Sequence, residues 1–330
     1  MGLRPHVLIS SAGRRSGLVR NMRESLNQKR PGAWVGAIDS GISAPARFLA
    51  DKFFRVPRCT DTAYGPALLE ICRSEDVGLI VPTIDTELSF YSRHRAEFET
   101  QGTSIFISDE AVIAISCNKH ATHEWLVANG FPTVRQASPT EALAGAKDWR
   151  WPLIAKPFNG SASIGVRRLD SVEELAQIAD ANPDYIIQEM ARGREFTINV
   201  YVNRAGKCVC AVPHWRLETR AGEVSKGITV KDPRLMDLAR QVTEALPGAR
   251  GPLNIQCFLD GDGTIAIIEI NARFGGGYPL AHQAGARFTD WLLDEQEGRS
   301  VGPCDDWTDD LAMLRYDEAV FTTGNAVTGS

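Results

Sequence analysis

Glu269, Asn271 and Arg273 stand at alternate positions in the stretch Ile267-Ile268-Glu269-Ile270-Asn271-Ala272-Arg273-Phe274-Gly275-Gly276-Gly277. Side chains two apart on a strand share a face, so a carboxylate, an amide and a guanidinium point one way. Ile270 and Ala272 point the other. Hard oxygen donors beside a fixed cation suit Mg²⁺ and the phosphates it carries. A strand end with a solvated ion pair and a glycine turn would look the same, and this segment alone does not choose between them.

A second group lies upstream. Pro152-Leu153-Ile154-Ala155-Lys156-Pro157 is a short apolar strand ending in a lysine, followed by Phe158-Asn159-Gly160-Ser161-Ala162-Ser163-Ile164-Gly165-Val166. Glycine and serine let backbone N–H groups approach a phosphate closely, and a neighbouring lysine adds charge. This is not a Walker loop, because Lys156 precedes the glycines and no Gly-Lys-Ser/Thr follows. Tyr185-Ile186-Ile187-Gln188-Glu189-Met190 and Gly193-Arg194-Glu195-Phe196-Thr197-Ile198-Asn199-Val200 then read as strand, turn and strand, with acids at the ends.

In this order, Asn118-Lys119, Ile154-Ala155-Lys156-Pro157, the loop to Gly165, Gln188-Glu189 through Gly193 and Glu195, Asn254-Ile255-Gln256, and Glu269 to Arg273 resemble the ATP-grasp superfamily. The likeness covers roughly residues 118 to 285 and is nearest to the carbamoyl-phosphate-synthase-like branch. Six short motifs in the right order make chance similarity improbable. The resemblance implies a Rossmann-like pre-ATP-grasp domain followed by a two-subdomain ATP-grasp fold, α/β and α+β in class. No internal repeat is visible, so a single grasp unit is expected.

It also implies roles. Lys119 and Lys156 would contact the phosphates of ATP, and Gly160, Ser161, Ser163 and Gly165 would form a flap over them. Gln188, Glu189 and the Met190 backbone match the hinge that binds adenine, and Glu195 the acid that holds the ribose. Gln256, Glu269 and Asn271 match the Mg²⁺ ligands, with Mn²⁺ an acceptable substitute. The neutral Gln256 stands where many grasp enzymes have an acid. Arg273, with Lys156, matches the catalytic cations of phosphoryl transfer. A solvated ion pair, a snorkelling lysine or a plain turn is the structural alternative at each place.

The implied reaction is ADP-forming. A carboxylate takes the γ-phosphate as an acyl phosphate, and an amine (or thiol) displaces it, so the partners are small-molecule acids and amines. A carbamoyl- or carboxyphosphate-forming kinase and a non-catalytic nucleotide-binding regulator are the alternatives. Candidates for the acceptor side are Arg14, Asp85, Glu87, Arg216, Lys226, Gly276 and His282. Arg14 and its neighbour Arg15 could hold an acid, and Asp85 and Glu87 an amino group, which together suit an amino-acid-like substrate. Arg216 and Lys226 flank a polar segment, Leu217 to Ser225, expected to be a mobile loop.

Composition fits a soluble enzyme. The 330 residues carry 36 basic and 41 acidic side chains, a formal charge of −5, with no long basic run. That argues against a nucleic-acid surface. No apolar run approaches the ~20 residues of a membrane span. The start runs straight into a strand, leaving no room for a signal peptide. Seven scattered cysteines without a C-x-x-C pair suggest core residues in a reducing compartment, the cytoplasm. A homodimer is common among relatives of the resembled family.

Strand signals at His6–Ser10, Trp34–Asp39, Val77–Pro82 and Ser104–Ile107 alternate with helical patterns and imply a small parallel sheet over residues 1–110. A connector helix carrying Lys119, stopped by Asn129-Gly130, and a small α+β unit fill residues 111–188. A mostly antiparallel sheet with helices fills 189–330, with Leu311–Tyr316 as a late strand. The tail from Thr322 is expected to fray.

Overall fold

The computed structural model describes residues 4–160 and 164–328, so Ser161 and Ser163 lie outside the described residues. The expected parallel sheet is present, with one more strand than the sequence patterns suggest. Strands β1 (His6–Ile9), β2 (Val35–Asp39), β3 (Lys52–Arg55), β4 (Val77–Val81) and β5 (Ser104–Ile105) run in the order β3-β2-β1-β4-β5. All four pairings are parallel. The Lys-Phe-Phe-Arg of β3 escaped notice because an edge strand is short and its ends are charged. Helices α1 (Ser16–Lys29), α2 (Tyr64–Ser74) and α3 (Asp85–Thr100) connect the strands. The order reverses between β1 and β4, so the turns after these two strands open on one crevice.

Helices α4 (Glu110–Ser116) and α5 (Lys119–Ala128) lead out of this unit. Asn118 caps α5, its side-chain oxygen accepting from the backbone of His120 and Ala121. A second sheet follows, in the order β6-β9-β7-β8, from β6 (Gln136–Ala137), β7 (Leu153–Pro157), β8 (Arg167–Leu169) and β9 (Tyr185–Glu189). Helices α6 (Pro139–Ala144) and α7 (Val172–Ala181) pack on it. Ser171 caps α7 through the Glu174 backbone N–H, and the Glu174 carboxylate accepts from Asp170 N.

The largest sheet runs β14-β13-β10-β11-β12-β15 and is antiparallel throughout. Its strands are β10 (Arg194–Val202), β11 (Cys208–Arg220), β12 (Glu223–Thr229), β13 (Gly251–Leu259), β14 (Ile265–Asn271) and β15 (Ala312–Leu314). Helices α8 (Pro233–Ala245), α9 (Tyr278–Gln283), α10 (Phe288–Gln296) and α11 (Gly324–Thr328) complete the chain. The segment expected to be a mobile loop is instead a tight hairpin: β11 runs on to Arg220, turns at Ala221-Gly222 and returns as β12. Both turn residues have positive φ, 46° and 75°, as a two-residue hairpin turn with the native twist requires. The tail is not frayed throughout. It forms α11, and Arg47 donates to the carbonyl of Ala326 at 2.6 Å.

The interior divides unevenly. The parallel sheet and the six-stranded sheet share one apolar core, from Val7 through Ile255 to Leu293. The four-stranded sheet has a separate small core around Leu153, Leu175 and Ile187. Cys72, Cys208, Cys210 and Cys257 are buried core residues. Among the described residues no helix is long and apolar enough to cross a membrane.

Candidate functional site

Two sheet faces supply the candidate residues. In β7, Leu153 and Ala155 belong to the small core, so Lys156 and Ile154 face the opposite way. Ile154 pairs with Gln188 and Lys156 with Ile186 on β9, which puts Gln188 beside Lys156 on that face. In β13, Leu253, Ile255 and Cys257 belong to the large core, and Asn254 and Gln256 face away. The antiparallel register aligns Thr197, Gln256 and Glu269 in one row across three strands, and Asn199, Asn254 and Asn271 in the next. A bulge at Ile268 resets β14 so that Glu269 meets Gln256.

Electrostatics tie the faces together. Lys156 is 8% exposed, and burial pushes its ammonium down to about 8, Lys119 adding to the effect and Glu269 opposing it. Among the described residues no carboxylate lies within ion-pair distance of it. An ammonium held at this cost to itself is ready for an anion. Lys119 Nζ donates to the carbonyl of Gly160 at 2.8 Å, so it already reaches the glycine loop. Gly160 and Gly165 both have positive φ, and a Cβ on Gly165 would lie 2.9 Å from the Tyr185 hydroxyl. Burial raises the Glu195 carboxyl, with Arg216 opposing and Glu269 reinforcing.

Arg273 has the best-defined surroundings. Its Nε and Nη2 donate to the two oxygens of Asp85 at 2.9 and 2.6 Å, a bidentate pair. Nη2 also donates to Asn271 Oδ1 at 3.1 Å. Burial opposes its charge, but Asp85, with Glu269 and Glu223 farther out, holds the guanidinium above its ordinary value. Asn271 Nδ2 donates to Asn254 Oδ1 at 3.2 Å, and Asn254 Nδ2 to the Arg273 carbonyl at 3.0 Å. The cation is thus locked in place from two elements before any ligand arrives.

Asp85 opens α3, a helix of the parallel-sheet unit, so a candidate expected to receive an amino group instead fixes the arginine. Glu87 is fully buried and cannot serve the expected anionic pocket. Its carboxylate accepts from Ser10 Oγ, Ser11 Oγ and the Thr83 and Ile84 backbone N–H groups, closing the end of α3 on the turn after β1. Arg14 is exposed on that turn. Its neighbour Arg15 points inward instead, 2.8 Å from Glu223.

Three further acceptor candidates are also otherwise engaged. Arg216 pairs with Glu195 at 3.1 Å and donates to the Gly222 carbonyl, and its side chain is only 6% exposed. Lys226 lies on the exposed hairpin face, paired with Glu218 at 2.6 Å. His282 is buried between Tyr278 Oη and Glu24. Gly276, in contrast, sits at the centre of a charged group: its added Cβ would fall 2.6 Å from Glu223 Cδ and 2.9 Å from Arg15 Nη1. Glu223 and Arg315 were missed from the sequence, which holds no signal bringing either to Gly276.

The adenine-hinge candidates stand on β9 and just beyond. Gln188 donates to Gln136 Oε1 at 2.7 Å, and Glu189 pairs with Arg150 at 3.3 Å. Met190 is partly exposed after them. As a donor set, Glu269, Gln256 and Asn271 are oxygen-only with one carboxylate, a fit for a hard cation that keeps phosphate and water in its shell.

Residues 116–277 match the ATP-grasp domain family, and residues 7–106 match a family described as PylC-like, N-terminal domain. The chain carries an ATP-grasp domain. Among curated proteins, a D-alanine–D-alanine ligase of Pseudomonas fluorescens is 27% identical over 179 residues, covering 49% of this chain and 55% of the relative. The vancomycin/teicoplanin A-type resistance protein VanA of Enterococcus faecium is 26% identical over 148 residues, covering 38% and 43%. The chain therefore spans about half the length of the curated relatives it matches. The biotin carboxylase domain of Hydrogenobacter thermophilus 2-oxoglutarate carboxylase superposes with a TM-score of 0.74 at 17% identity, over 94% of this chain and 74% of that one. N5-carboxyaminoimidazole synthetase of Staphylococcus aureus gives 0.69 at 16%, over 90% and 78%. These structures establish the ATP-grasp fold, which is the fold the motifs imply.

Proposed function

We propose that this protein is an ATP-dependent, ADP-forming ligase that activates a carboxylate as an acyl phosphate and joins it to an amine. The observation that carries the reading is a buried ammonium, Lys156, and a locked guanidinium, Arg273, both within electrostatic range of the same carboxylate, Glu269. Such a pair of cations around an oxygen donor set is what a transferring phosphoryl group requires. The ligase names of the curated relatives support the same class.

In this reading residues 1–110, 111–188 and 189–330 are the working units. Lys119, Lys156, Gly160 and Gly165, with Ser161 and Ser163, hold the phosphates. Gln188, Glu189 and Met190 border adenine, and Glu195 faces the ribose. Glu269, Gln256 and Asn271 would hold Mg²⁺, which would neutralise phosphate charge. Arg273 stabilises the charge that develops on the transferred group, and Asp85 keeps its fork oriented. The acyl phosphate is then open to an amine, and no nucleophilic side chain of the protein is needed.

ADP release from Mg²⁺-ATP, measured across carboxylic acids with and without added amines, tests this. The expected result is acid-dependent ADP release, a condensed product by mass spectrometry, and loss of both in Glu269→Ala. Release stimulated by bicarbonate alone would instead favour a carboxyphosphate-forming kinase, and tight ATP binding with no stimulation a regulatory protein.

A further inference from the structure

Three arginines from distant segments meet around Phe106, where the parallel-sheet unit joins the six-stranded sheet. Arg204, in the turn after β10, holds its guanidinium carbon 4.7 Å from the ring centroid, and Arg250, just before β13, 5.0 Å from it. Arg95, on α3, donates to the carbonyls of Ile107 and Ser108 at 2.7 Å and pairs with Asp109 at 2.7 Å. The Arg250 backbone is pinned, its N–H donating to Ser108 Oγ at 3.1 Å and its carbonyl accepting from that hydroxyl at 3.2 Å. Arg95 stands about 15 Å along α3 from Asp85, and the group shares no residue with the site around Arg273.

The carboxylates in reach do not close these donors. Asp109 is committed to Arg95. Glu295 accepts from Tyr201 Oη and from the Arg204 backbone N–H, not from the Arg204 side chain. Lys207 and Glu244 pair with each other. Glu99 is exposed on α3. Among the described residues, neither the Arg204 nor the Arg250 guanidinium has a hydrogen-bond or ion-pair acceptor. The Nε atoms of Arg95 and Arg250 are closed off from water as well. Burial holds the Arg250 guanidinium below its ordinary value, and Arg95 and Arg204 each act on it more strongly than Glu99 or Asp109. With those four charges counted, the field at Arg250 is positive. Stacking on Phe106 uses one face of a guanidinium and leaves its N–H edge free. One arginine on the ring would serve a structural seam. Two there, with a third alongside, repel one another until an anion joins them.

We propose that Arg95, Arg204 and Arg250 form a binding site for a phosphate group, separate from the nucleotide cleft. A tetrahedral oxyanion offers three oxygens to several guanidinium forks at once, which a planar carboxylate does not. Free phosphate and a phosphate monoester share this chemistry, and the site does not depend on the ligase reading.

The test is calorimetric titration of the full chain with inorganic phosphate and with ribose 5-phosphate. Ribose, and sodium acetate at matched ionic strength, serve as controls. Each titration is run alone and again with Mg²⁺ and a non-hydrolysable ATP analogue. One saturable phosphate site should persist with the analogue present and weaken as sodium chloride is added. Arg204→Gln, on an exposed turn, and Arg250→Gln should each weaken it roughly ten-fold or more. Arg204→Lys should recover part of that loss, and Lys156→Met should leave the site unchanged. Melting of each ligand-free variant shows that it is folded, and Arg204→Gln carries the test by itself where Arg250→Gln is not. Binding of free phosphate at least as tight as the ester supports a site for phosphate itself, and tighter binding of ribose 5-phosphate supports one for a monoester. No saturable binding, binding matched by acetate, unchanged affinity in folded Arg204→Gln, or loss of the site with the analogue or in Lys156→Met would each overturn the proposal.

Discussion

Lys156 is held where an ammonium is disfavoured, and this has two measurable results. Its group titrates at about 8 in the folded protein against an ordinary lysine value near 10.4. Between those values the unfolded chain binds the extra proton, so stability rises with pH through this window and the penalty is fully present below about 8. Lys156→Met should therefore stabilise the ligand-free protein at pH 7, by up to roughly 3 kcal/mol, while weakening nucleotide binding. Denaturant midpoints and nucleotide titrations check the two halves, and a destabilised variant would refute the first. In the wild type, KM for ATP should climb above pH 8. Asp85→Asn makes a separate prediction. The Arg273 fork loses its charged partner but stays in place, so kcat should fall roughly ten- to hundred-fold with little change in KM for ATP. An equal loss in both would place Asp85 in ATP binding instead. Much of this was legible in the residues: the alternation of Glu269, Asn271 and Arg273, and the lysine closing an apolar strand, predicted the faces they occupy. Arg15 could not be told from Arg14, because the choice depends on how a turn rotates. Glu87 misled because a carboxylate that closes a helix end looks the same in sequence as one that lines a pocket.

At the scale of elements, the hairpin and the glycine run are each constrained by backbone geometry. Ala221 has φ of 46°, a conformation that disfavours a Cβ by about 1 kcal/mol. Asparagine tolerates it and is preferred in this turn, so Ala221→Asn should raise the melting temperature by a few degrees. Gly277 shows the reverse constraint. A Cβ there would lie 2.6 Å from His214 Nε2 and 2.9 Å from Val224 Cγ1, so Gly277→Ala should cost about 1–3 kcal/mol, read from a shifted urea midpoint. An unshifted midpoint would mean that the sheet yields there. His214 itself is fully buried, and burial pulls its imidazole down to about 3, with Arg216 and Arg315 adding to the effect. It stays neutral at physiological pH and takes no part in pH-dependent steps there. The hairpin was hidden because its outer part is polar on both faces, and no Asn-Gly or Asp-Gly marked its turn. Arg315 was hidden by distance. Nothing local to β15 shows that it ends beside residues 223 and 276.

Across the whole molecule, the parallel-sheet unit and the six-stranded sheet share one apolar core. Helix α1 is fastened to α10 by Ser25 to Thr289 at 2.7 Å, Lys29 to Asp294 at 2.6 Å, and Arg30 to Gln296, Glu297 and the Leu293 carbonyl. The four-stranded sheet carries Lys156 on a separate, smaller core. Hydrogen exchange should therefore find amides of β7, β9 and α7 opening at lower free energy than those of β1, β4 and β10. Mg²⁺-ATP should slow exchange in that region, and uniform protection along the chain would contradict the division. The contact between Asp85 and Arg273 also constrains how such a protein can diverge. The acid is in the first hundred residues and the base nearly two hundred further on, in units that match two different families. Neither can be replaced by a neutral residue without leaving the other's charge uncompensated, so the two should covary among descendants of this chain. A chimera that exchanges the first unit for one lacking an acid at this position should fold yet turn over slowly, and restoring that one carboxylate should rescue it.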